Sequence, residues 1–289
     1  MGCQILNANK CLAFALALVA TPALGASIAK ECEGALSEFE VPGDPEVWTA
    51  SQTAKMLNHP ALSMVVSPLG APKVRGAVLS LELSMIPAMR CADRVVWYNN
   101  GLKTEETNKV PLLPRPRLQV GLPKLAGFDG YLGVAYVPPV PLGSTSMHHA
   151  GFELGLSRSL SASLTAGLRY HAAVSKVADD IAQAVDDTAP TVLDFYANGM
   201  WGLGLHAGYE GGGLPKGFAL YSGFGYVNVG TFFLVGDDAV IQNNPDPYRG
   251  VEYSLGGQFD VGALVFSLEW HHAVGSTMRT VRSKLGYRF

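Results

Sequence analysis

The chain has 289 residues, with 21 lysines and arginines against 24 aspartates and glutamates, and a formal net charge of −3. Because only 16% of the residues are charged and no basic run contains interleaved aromatics, the composition excludes a nucleic-acid-binding protein of the basic type. The 33 glycines follow no collagen-like period, and glycine in this quantity suits strands that bend and pack closely.

Residues 1–26 have the pattern of a signal peptide. Lys10 precedes an apolar run at 11–20, and small residues follow at 23–27. This order predicts export, with cleavage after Gly25 or Ala26. The apolar run is too short to cross a hydrocarbon core of ~30 Å, which needs roughly 20 residues, so we do not expect it to remain as an anchor.

Residues 27–73 follow no single period. The stretch 45–57 favours a short helix, and Pro60, Pro68 and Pro72 break the pattern after it. We therefore expect a cap or plug segment here, and not an independent domain.

From residue 74 onward, apolar and polar residues alternate with a period of two. In the first such segment Leu79, Leu81 and Leu83 share one face, whereas Ser80 and Glu82 share the other. Since side chains alternate between the two faces of a strand, this pattern predicts β-strands with one apolar and one polar face. It recurs to give ten predicted strands near 77–85, 117–122, 131–136, 151–156, 164–171, 195–206, 218–229, 251–259, 264–271 and 281–289.

Residues 74–289 therefore predict an all-β fold, an antiparallel transmembrane β-barrel of about ten strands, with eight to twelve left open. No segment after the signal has 18 consecutive apolar residues, so no membrane helix is expected. A soluble sandwich or lipocalin-like barrel would alternate in the same way. Short connections on one side and mostly longer ones on the other, with aromatics near strand ends, favour the membrane barrel.

The carboxy-terminal strand carries the most specific signal. Val281, Leu285, Tyr287 and Phe289 alternate with charged and small residues. A terminal phenylalanine after such alternation resembles the last strand of Gram-negative outer-membrane β-barrel proteins. The resemblance implies an outer-membrane location and makes Leu285, Tyr287 and Phe289 the signal for the barrel assembly machinery. It identifies no subfamily.

If the apolar face meets lipid, the polar face lines a lumen with four acids and five bases. Opposite charges in so narrow a space should pair, because burying an unpaired charge costs several kcal/mol. Such pairing favours a plugged or gated lumen, interpreted either as a polar path for a small solute or as a purely structural ion-pair network. The predicted lumen charges are Glu82, Arg117, Glu153, Arg169, Glu252, Glu269, Arg282, Lys284 and Arg288.

The histidines of the barrel suggest a metal site that the topology argues against. A turn near Ser159 would set His149 opposite Arg169, with His171 close by. However, His271 belongs to a strand on the other side of the predicted barrel. We therefore expect no metal site, and no fingerprint of another cofactor is present.

The sequence favours an integral outer-membrane protein for narrow or gated passage of small solutes. The alternative is a structural or binding barrel whose outer loops contact partners. An enzyme is not expected, although a barrel lipid hydrolase stays open, because Ser267, Glu269 and His271 lie ~7 Å apart in succession on one strand. Expected partners are outer-membrane lipid, lipopolysaccharide, the barrel assembly machinery and small solutes, without nucleic acid.

Two cysteines remain after removal of the signal, Cys32 and Cys91. A surviving pair in an oxidising compartment predicts a disulfide. Cys91 follows the first strand, at its outer end, whereas a segment starting at Cys32 would otherwise begin on the periplasmic side. The bond therefore requires either that residues 32–73 thread the lumen as a plug or that the strand count is wrong.

Overall fold

The computed structural model describes most of the chain after the predicted signal peptide. The described residues are 28–65, 68–98, 101–105, 111–142, 145–179, 194–234, 242–243, 247–276 and 278–289. The signal-peptide prediction for residues 1–26 lies outside them.

The described residues form one main helix and thirteen strands. The first part contains a 3₁₀ turn at Lys30–Cys32, helix α1 at Pro45–Ser63, β1 at Ala77–Met85, a 3₁₀ turn at Cys91–Asp93, β2 at Val95–Tyr98, and β3 at Gly101–Thr104. The remaining strands are β4 at Leu112–Gly121, β5 at Asp129–Leu142, β6 at Thr145–Ser159, β7 at Leu164–Asp179, β8 at Asp194–Glu210, β9 at Phe218–Leu234, β10 at Gln242–Asn243, β11 at Tyr248–Val261, β12 at Leu264–Ala273 and β13 at Arg279–Arg288.

Ten of these strands close into an antiparallel barrel, which confirms the predicted fold class and strand number. The order around the wall is β1, β4, β5, β6, β7, β8, β9, β11, β12 and β13. Closure occurs where β13 pairs with β1, setting Leu285 opposite Leu81. The two-residue β10 adds to β9, and β2 and β3 form a separate hairpin.

The two faces of the barrel wall have opposite chemistry. On β1 the outward-facing Leu79 and Leu81 are 51% and 45% exposed, whereas the inward-facing Glu82 has no exposed surface. Leucines and aromatic residues continue this outward apolar face around the barrel, and buried polar and charged side chains line the lumen. A soluble barrel would bury its apolar face, so this arrangement places the protein in the outer membrane.

The lengths of the connections orient the barrel. The connections 122–128, 160–163, 211–217 and 262–263 share one end with Ala77 and Phe289. At the other end lie 86–111, 143–144, 180–193, 235–247 and 274–278. Outer-membrane barrels have short periplasmic turns and longer outer loops, so the end containing Phe289 is periplasmic.

The described residues before β1 enter this barrel from its outer mouth. Helix α1 begins at an Asp44–Pro45 pair, with Asp44 Oδ1 accepting from the amide of Val47 at 3.1 Å. The end of the helix packs into an apolar collar on the inner wall, which includes Leu113, Met200 and Val229. Within the described residues, no helix combines the length and apolar character that crossing a membrane requires.

Residues 64–65 and 68–73 lie along the lumen toward the periplasmic end, and we call the segment 64–73 the strap. Met64 and Val65 lie in the apolar collar, and Pro72 lies against Gly208 near the periplasmic end of β8. Residues 66 and 67 are outside the described part of the chain. The plug expected from the sequence thus fills the lumen from the outer mouth inward.

Two details of the wall differ from the sequence-based expectation. Strand β4 begins at Leu112, although residues up to 116 were expected to belong to a loop. Strands β7, β8 and β9 have 16 or 17 residues, longer than the roughly 9–11 residues that a tilted strand needs to span.

Candidate functional site

A continuous ion network crosses the lumen from β1 to β6. Glu82 accepts from Arg115 Nη2 at 2.5 Å and from Nη1 of Arg117. The other donors of Arg117 form two parallel bonds to Glu153, from Nε at 2.7 Å and from Nη2 at 2.6 Å. All four side chains are buried, so each charge has a partner that offsets part of its desolvation.

A second group of lumen charges binds the main chain of the strap. Arg282 pairs with Glu269 at 2.9 Å and donates from Nη1 to the Val65 carbonyl at 2.6 Å. Glu269 Oε2 accepts from the Leu69 amide at 2.7 Å, and Lys284 Nζ donates to the Leu69 carbonyl. These bonds satisfy strap backbone groups that would otherwise be buried without partners.

Two further wall residues hold the ends of the strap. Arg115 donates to the Met64 carbonyl, and Gln258 Oε1 accepts from the Ala71 amide at 3.1 Å. Between them Gly70 has a φ of +138°, and a Cβ there would lie 2.7 Å from Gln258 Oε1. Only glycine fits this position, because it tolerates the backbone conformation and leaves room for the wall side chain.

The strap is bonded to one continuous part of the lumen wall, from β11 round to β5, where Lys73 pairs with Asp129 at 3.1 Å. Its described hydrogen bonds go to β4, β11, β12 and β13. The lumen face of β6, β7 and β8 carries His149, His171 and His206, which we call the histidine wall. The ring nitrogens of His149 and His171, and Nε2 of His206, have no hydrogen-bond partner among the described residues.

Glycines in the wall provide the space for these large side chains. A Cβ on Gly202 would lie 2.4 Å from His171 Cε1, and one on Gly167 would lie 2.2 Å from His206 Nε2. On β5 a Cβ on Gly133 would overlap Glu153. Each of these side chains therefore lies across a glycine of a neighbouring strand, which accounts for part of the high glycine content.

The register corrects one sequence-based pairing. His149 lies opposite Ser175, and not opposite Arg169, because the β6–β7 hairpin turns near residue 162 instead of near Ser159. Arg169 lies opposite Gly155, one lumen position along β7 from His171. His271 belongs to β12 and bonds Glu252 Oε2 through Nε2 at 2.9 Å.

The structure places eight of the nine predicted lumen charges among its buried residues. The ninth, Arg288, lies at the periplasmic rim and donates to Asp260 Oδ2 at 2.6 Å. Arg115 also belongs to the network, and the sequence analysis missed it. Arg115 shares the period of two with Leu113 and Arg117, which would have placed it on the lumen face. Pro114 and Pro116 concealed this pattern, because proline usually marks the end of a strand.

Arg169 is the lumen arginine with the weakest pairing. Its nearest described carboxylate oxygen, Glu153 Oε2, is 3.9 Å from Nη1, and Nη1 has no hydrogen-bond partner among the described residues. Arg169 borders a small cleft in the lumen, together with Glu252 on the other side and Pro68 of the strap. The other lining residues are Gly204, Leu205, His206, Gly223, Phe224, Tyr253, Ser254 and His271.

At the outer mouth, residues 28–63 and the described residues of 86–105 form a small cap, which we call the outer cap. Cys32 and Cys91 are joined by a disulfide, with 5.5 Å between their Cα atoms. Arg94 bonds Glu31 at 2.5 Å, and this hydrogen bond lowers the pKa of Glu31. The disulfide predicted from the sequence is therefore present, and the described residues between the two cysteines enter the lumen, as that bond requires.

His59 links helix α1 to the outer end of the barrel wall. Its Nε2 lies 2.8 Å from the carbonyl oxygen of Pro87, which follows β1. Burial lowers the pKa of His59 below its usual 6.5, although the hydrogen bond to Pro87 and the charge of Asp93 oppose this shift. The imidazole is therefore held neutral, with Nε2 donating to the carbonyl.

The sequence left a barrel lipid hydrolase open on three polar residues of β12. Ser267, Glu269 and His271 share one face of β12, but Glu269 is bonded to Arg282 and His271 to Glu252. Within the described residues, no group of three or more His, Cys, Asp or Glu side chains is arranged to hold a metal ion.

At the closing seam, the terminal residues face outward at the periplasmic end. Leu285, Tyr287 and Phe289 are 52%, 50% and 73% exposed. The Phe289 amide donates to the Ala77 carbonyl at 2.9 Å, and the Tyr287 and Phe289 rings are 5.1 Å apart.

No protein-family model matches the sequence, and no curated protein matches it. Among solved structures, the chain is similar to the toluene transporter TodX of Pseudomonas putida, at 13% identity over 82% of this chain and 72% of that one, with a TM-score of 0.34. The translocator domain of the autotransporter NalP from Neisseria meningitidis matches at 10% identity, 85% and 100% coverage, and a TM-score of 0.37. LpxR from Salmonella typhimurium matches at 10% identity, 73% and 100% coverage, and a TM-score of 0.34. All three are outer-membrane β-barrels, and with such low identities the likeness concerns fold alone.

Proposed function

We propose that this barrel provides narrow, gated passage for small solutes across the outer membrane, with the strap as its gate. The observation that carries the proposal is a difference in hydrogen bonding between the two sides of the lumen wall. Charged groups on one side bind the strap, whereas His149 and His171 on the histidine wall face the lumen without a hydrogen-bond partner among the described residues.

The histidine wall is chemically suited to a polar path. A buried polar group without a partner costs about 1–3 kcal/mol, so a purely structural filling would be expected to bond these rings or replace them with apolar side chains. A neutral imidazole offers one donor and one acceptor, and can exchange hydrogen bonds with water or with a passing solute.

The outer end supplies the second part of the gate. There the end of α1 packs on the apolar collar, with Leu62 and Val65 almost completely buried. A polar solute cannot cross this contact while it is closed, since it would lose its hydrogen bonds with water. Passage therefore requires the end of helix α1 to shift. The strap follows this helix end directly and is bonded to the charged side of the lumen, so the two movements are linked.

Planar-bilayer conductance tests this gate. Lys284→Met removes the bond to the Leu69 carbonyl, and the described contacts leave no carboxylate hydrogen-bonded to Lys284. We expect rare, small openings for the wild type and a higher open probability for Lys284→Met. The matched control is Lys216→Met in an exposed periplasmic turn, which removes the same charge far from the strap. Equal open probabilities in all three proteins would contradict the gate.

The alternative is a non-conducting barrel that presents the outer cap to a partner, and the apolar collar is the observation that favours it. Silence of both wild type and Lys284→Met, with both proteins folded, would support this alternative. In either case we propose that outer-membrane lipid and lipopolysaccharide contact the apolar outer face and that the barrel assembly machinery inserts the chain. We also propose that the barrel has no enzymatic role, because Glu269 is engaged by Arg282 and His271 by Glu252, which leaves Ser267 without a free general base on β12.

A further inference from the structure

The buried charges of the lumen do not balance. The described residues place four carboxylates there, Glu82, Glu153, Glu252 and Glu269, against five cations, Arg115, Arg117, Arg169, Arg282 and Lys284. The lumen therefore carries one positive charge in excess. A buried net charge in a narrow, low-dielectric space strongly attracts an ion of opposite sign.

The excess charge is located at Arg169. Each of the other four cations donates at least one hydrogen bond to a carboxylate or to the strap main chain. Arg169 instead meets Glu153 at 3.9 Å, and both oxygens of Glu153 already accept from Arg117. Nη1 of Arg169 is buried and makes no hydrogen bond to a described residue.

The space beside Arg169 is built as a recess. Arg169, Gly204, Gly225 and Glu252 lie in one cross-strand row on β7, β8, β9 and β11. The two glycines leave the floor between the guanidinium and the carboxylate without side chains, and Pro68 lies over the cleft from the strap. The row spans three strand spacings, or ~14 Å between the outer Cα atoms, and the space left in the cleft is about that of one water molecule, so a larger ligand enters only when Pro68 of the strap moves away.

We propose that Arg169 is the centre of a binding site for a small carboxylate. The planar guanidinium presents parallel donors that match a carboxylate, and buried hydrogen-bonding groups surround it. His206 Nε2 and Ser254 Oγ line the same cleft and have no hydrogen-bond partner among the described residues. Glu252 closes the far side and disfavours anions with a second negative charge, so the site selects small monocarboxylates.

This inference deepens the proposed function, and the role of the site in passage rests on it. A carboxylate moving along the histidine wall would pause at Arg169, one lumen position from His171 on β7. The strap covers the site through Pro68, so opening of the gate and release of the anion would be coupled. Binding itself does not require that the barrel conducts.

Arg169→Gln is a suitable test because the fold should tolerate it. Glu153 keeps both bonds from Arg117, so the substitution leaves no buried carboxylate without a partner and equalises the lumen charges. Arg169→Lys keeps the charge without the planar fork. Arg158→Gln removes an exposed arginine from the neighbouring strand and serves as the control.

Binding is measured on the purified full-length protein in detergent, as the shift in melting temperature with sodium acetate at constant ionic strength against the large buffer anion HEPES. We expect a saturable rise on the order of 5 °C for the wild type and Arg158→Gln, a smaller rise for Arg169→Lys, and none for Arg169→Gln. Chloride should give a weaker rise than acetate. Equal effects of acetate on the wild type and Arg169→Gln would overturn the site, and equal effects of chloride and acetate would overturn the carboxylate assignment.

Selectivity in bilayers separates this inference from the proposed function. If the wild type conducts, its acetate-to-potassium permeability ratio should fall severalfold in Arg169→Gln, and an unchanged ratio would count against the site. If the wild type and Lys284→Met are both silent but acetate stabilises the wild type through Arg169, gated passage fails and the carboxylate site stands. If it conducts without any effect of Arg169, passage stands and the site fails.

Discussion

Glu82 is the residue on which the ion network between β1 and β6 depends. It has no exposed surface and accepts from both Arg115 and Arg117. Replacing it removes the one acidic side chain, among the described residues, that bonds both of these guanidinium groups. The network therefore concentrates its stabilising effect at one carboxylate.

We expect Glu82→Gln to lower the free energy of unfolding by about 3–5 kcal/mol, because it leaves buried positive charge without compensation. Urea titration followed by the heat-dependent shift in gel mobility measures this change. Asp260→Asn is the control, since its pair with Arg288 is about one quarter exposed and should contribute less than about 1 kcal/mol. A similar loss in both variants would show that the lumen pairing has no special role.

Two glycines on β8 provide a matched pair for the packing of the histidine wall. A Cβ on Gly202 would lie 2.4 Å from His171 Cε1 and 2.8 Å from the Tyr226 carbonyl, whereas one on Gly199 would meet nothing within 4 Å. We expect Gly202→Ala to destabilise the barrel by about 1–3 kcal/mol through overpacking. Gly199→Ala should be neutral or slightly stabilising, since it only restricts the unfolded chain. The same urea titration distinguishes them, and equal stability of the two variants would argue against the observed packing.

At the scale of the elements, β4 shows where the sequence pattern stopped being informative. Its last residues pair with both neighbours, but Pro114 and Pro116 pair only with β1. A proline is acceptable there because the missing N–H faces no partner strand. Proline is normally read as the end of a strand, so the sequence analysis cut β4 short and lost Arg115.

The alternation of side chains was enough to predict which residues face the lumen, because the period of two is a local property. Arg169 and Glu252 could be placed on the lumen face in this way. The structure places them in one cross-strand row with two glycines, and this depends on the register of three strand pairs. A shift of about one residue in any of these pairs would turn the side chains of that strand to the other face. The strap contacts were likewise beyond prediction, since residues 64–73 follow no period of their own.

The docking of helix α1 should depend on pH through His59. Burial lowers the pKa of His59 when the helix is docked. The docked imidazole therefore stays neutral at a pH near 6.5, where an undocked imidazole becomes protonated. The contribution of His59 is therefore fully present above about pH 6.5, and is lost as the pH falls through the lowered pKa. The charge of Asp93 moderates this loss because it favours the protonated form.

We expect the outer cap to become more accessible to protease as the pH falls from about 8 to about 5. His59→Asn keeps an N–H donor for the Pro87 carbonyl and does not titrate, so its cleavage rate should change less over the same range. Cleavage is followed on the folded barrel with a protease whose own pH dependence is measured on an unfolded substrate. Parallel pH profiles of the two proteins would exclude His59 as the cause.

At the scale of the whole molecule, the closing seam fixes the register of the barrel. Strand β13 pairs with β1 from Val78 opposite Arg288 to Ser84 opposite Arg282. A shift by one residue would turn Arg282 and Lys284 toward lipid, at up to roughly 2–4 kcal/mol each depending on depth. The seam also satisfies the backbone groups that would otherwise be open to hydrocarbon.

We expect deletion of Phe289 to reduce the outer-membrane level of the protein strongly, with the chain accumulating in the periplasm and being degraded. The deletion removes an outward-facing aromatic and the bond to Ala77, and by resemblance it removes the signal for the assembly machinery. Phe289→Tyr keeps the ring and the backbone bond and should assemble much better. Quantifying both variants in outer-membrane fractions tests this prediction, and normal levels of the deletion variant would contradict the proposed signal.

The path of the strap has a consequence for the order of assembly. The strap runs from the outer mouth to the periplasmic end, and β1 returns in the opposite direction, so together they form a U with its bend at the periplasmic end. The Cys32–Cys91 bond joins the two open arms of this U at the outer mouth. Of the described strands, β1 alone belongs to this covalent ring, so the ring can close before the barrel does. The rest of the wall can then wrap around a finished U, and the final pairing of β13 with β1 encloses the strap without any free end being pulled through a completed pore.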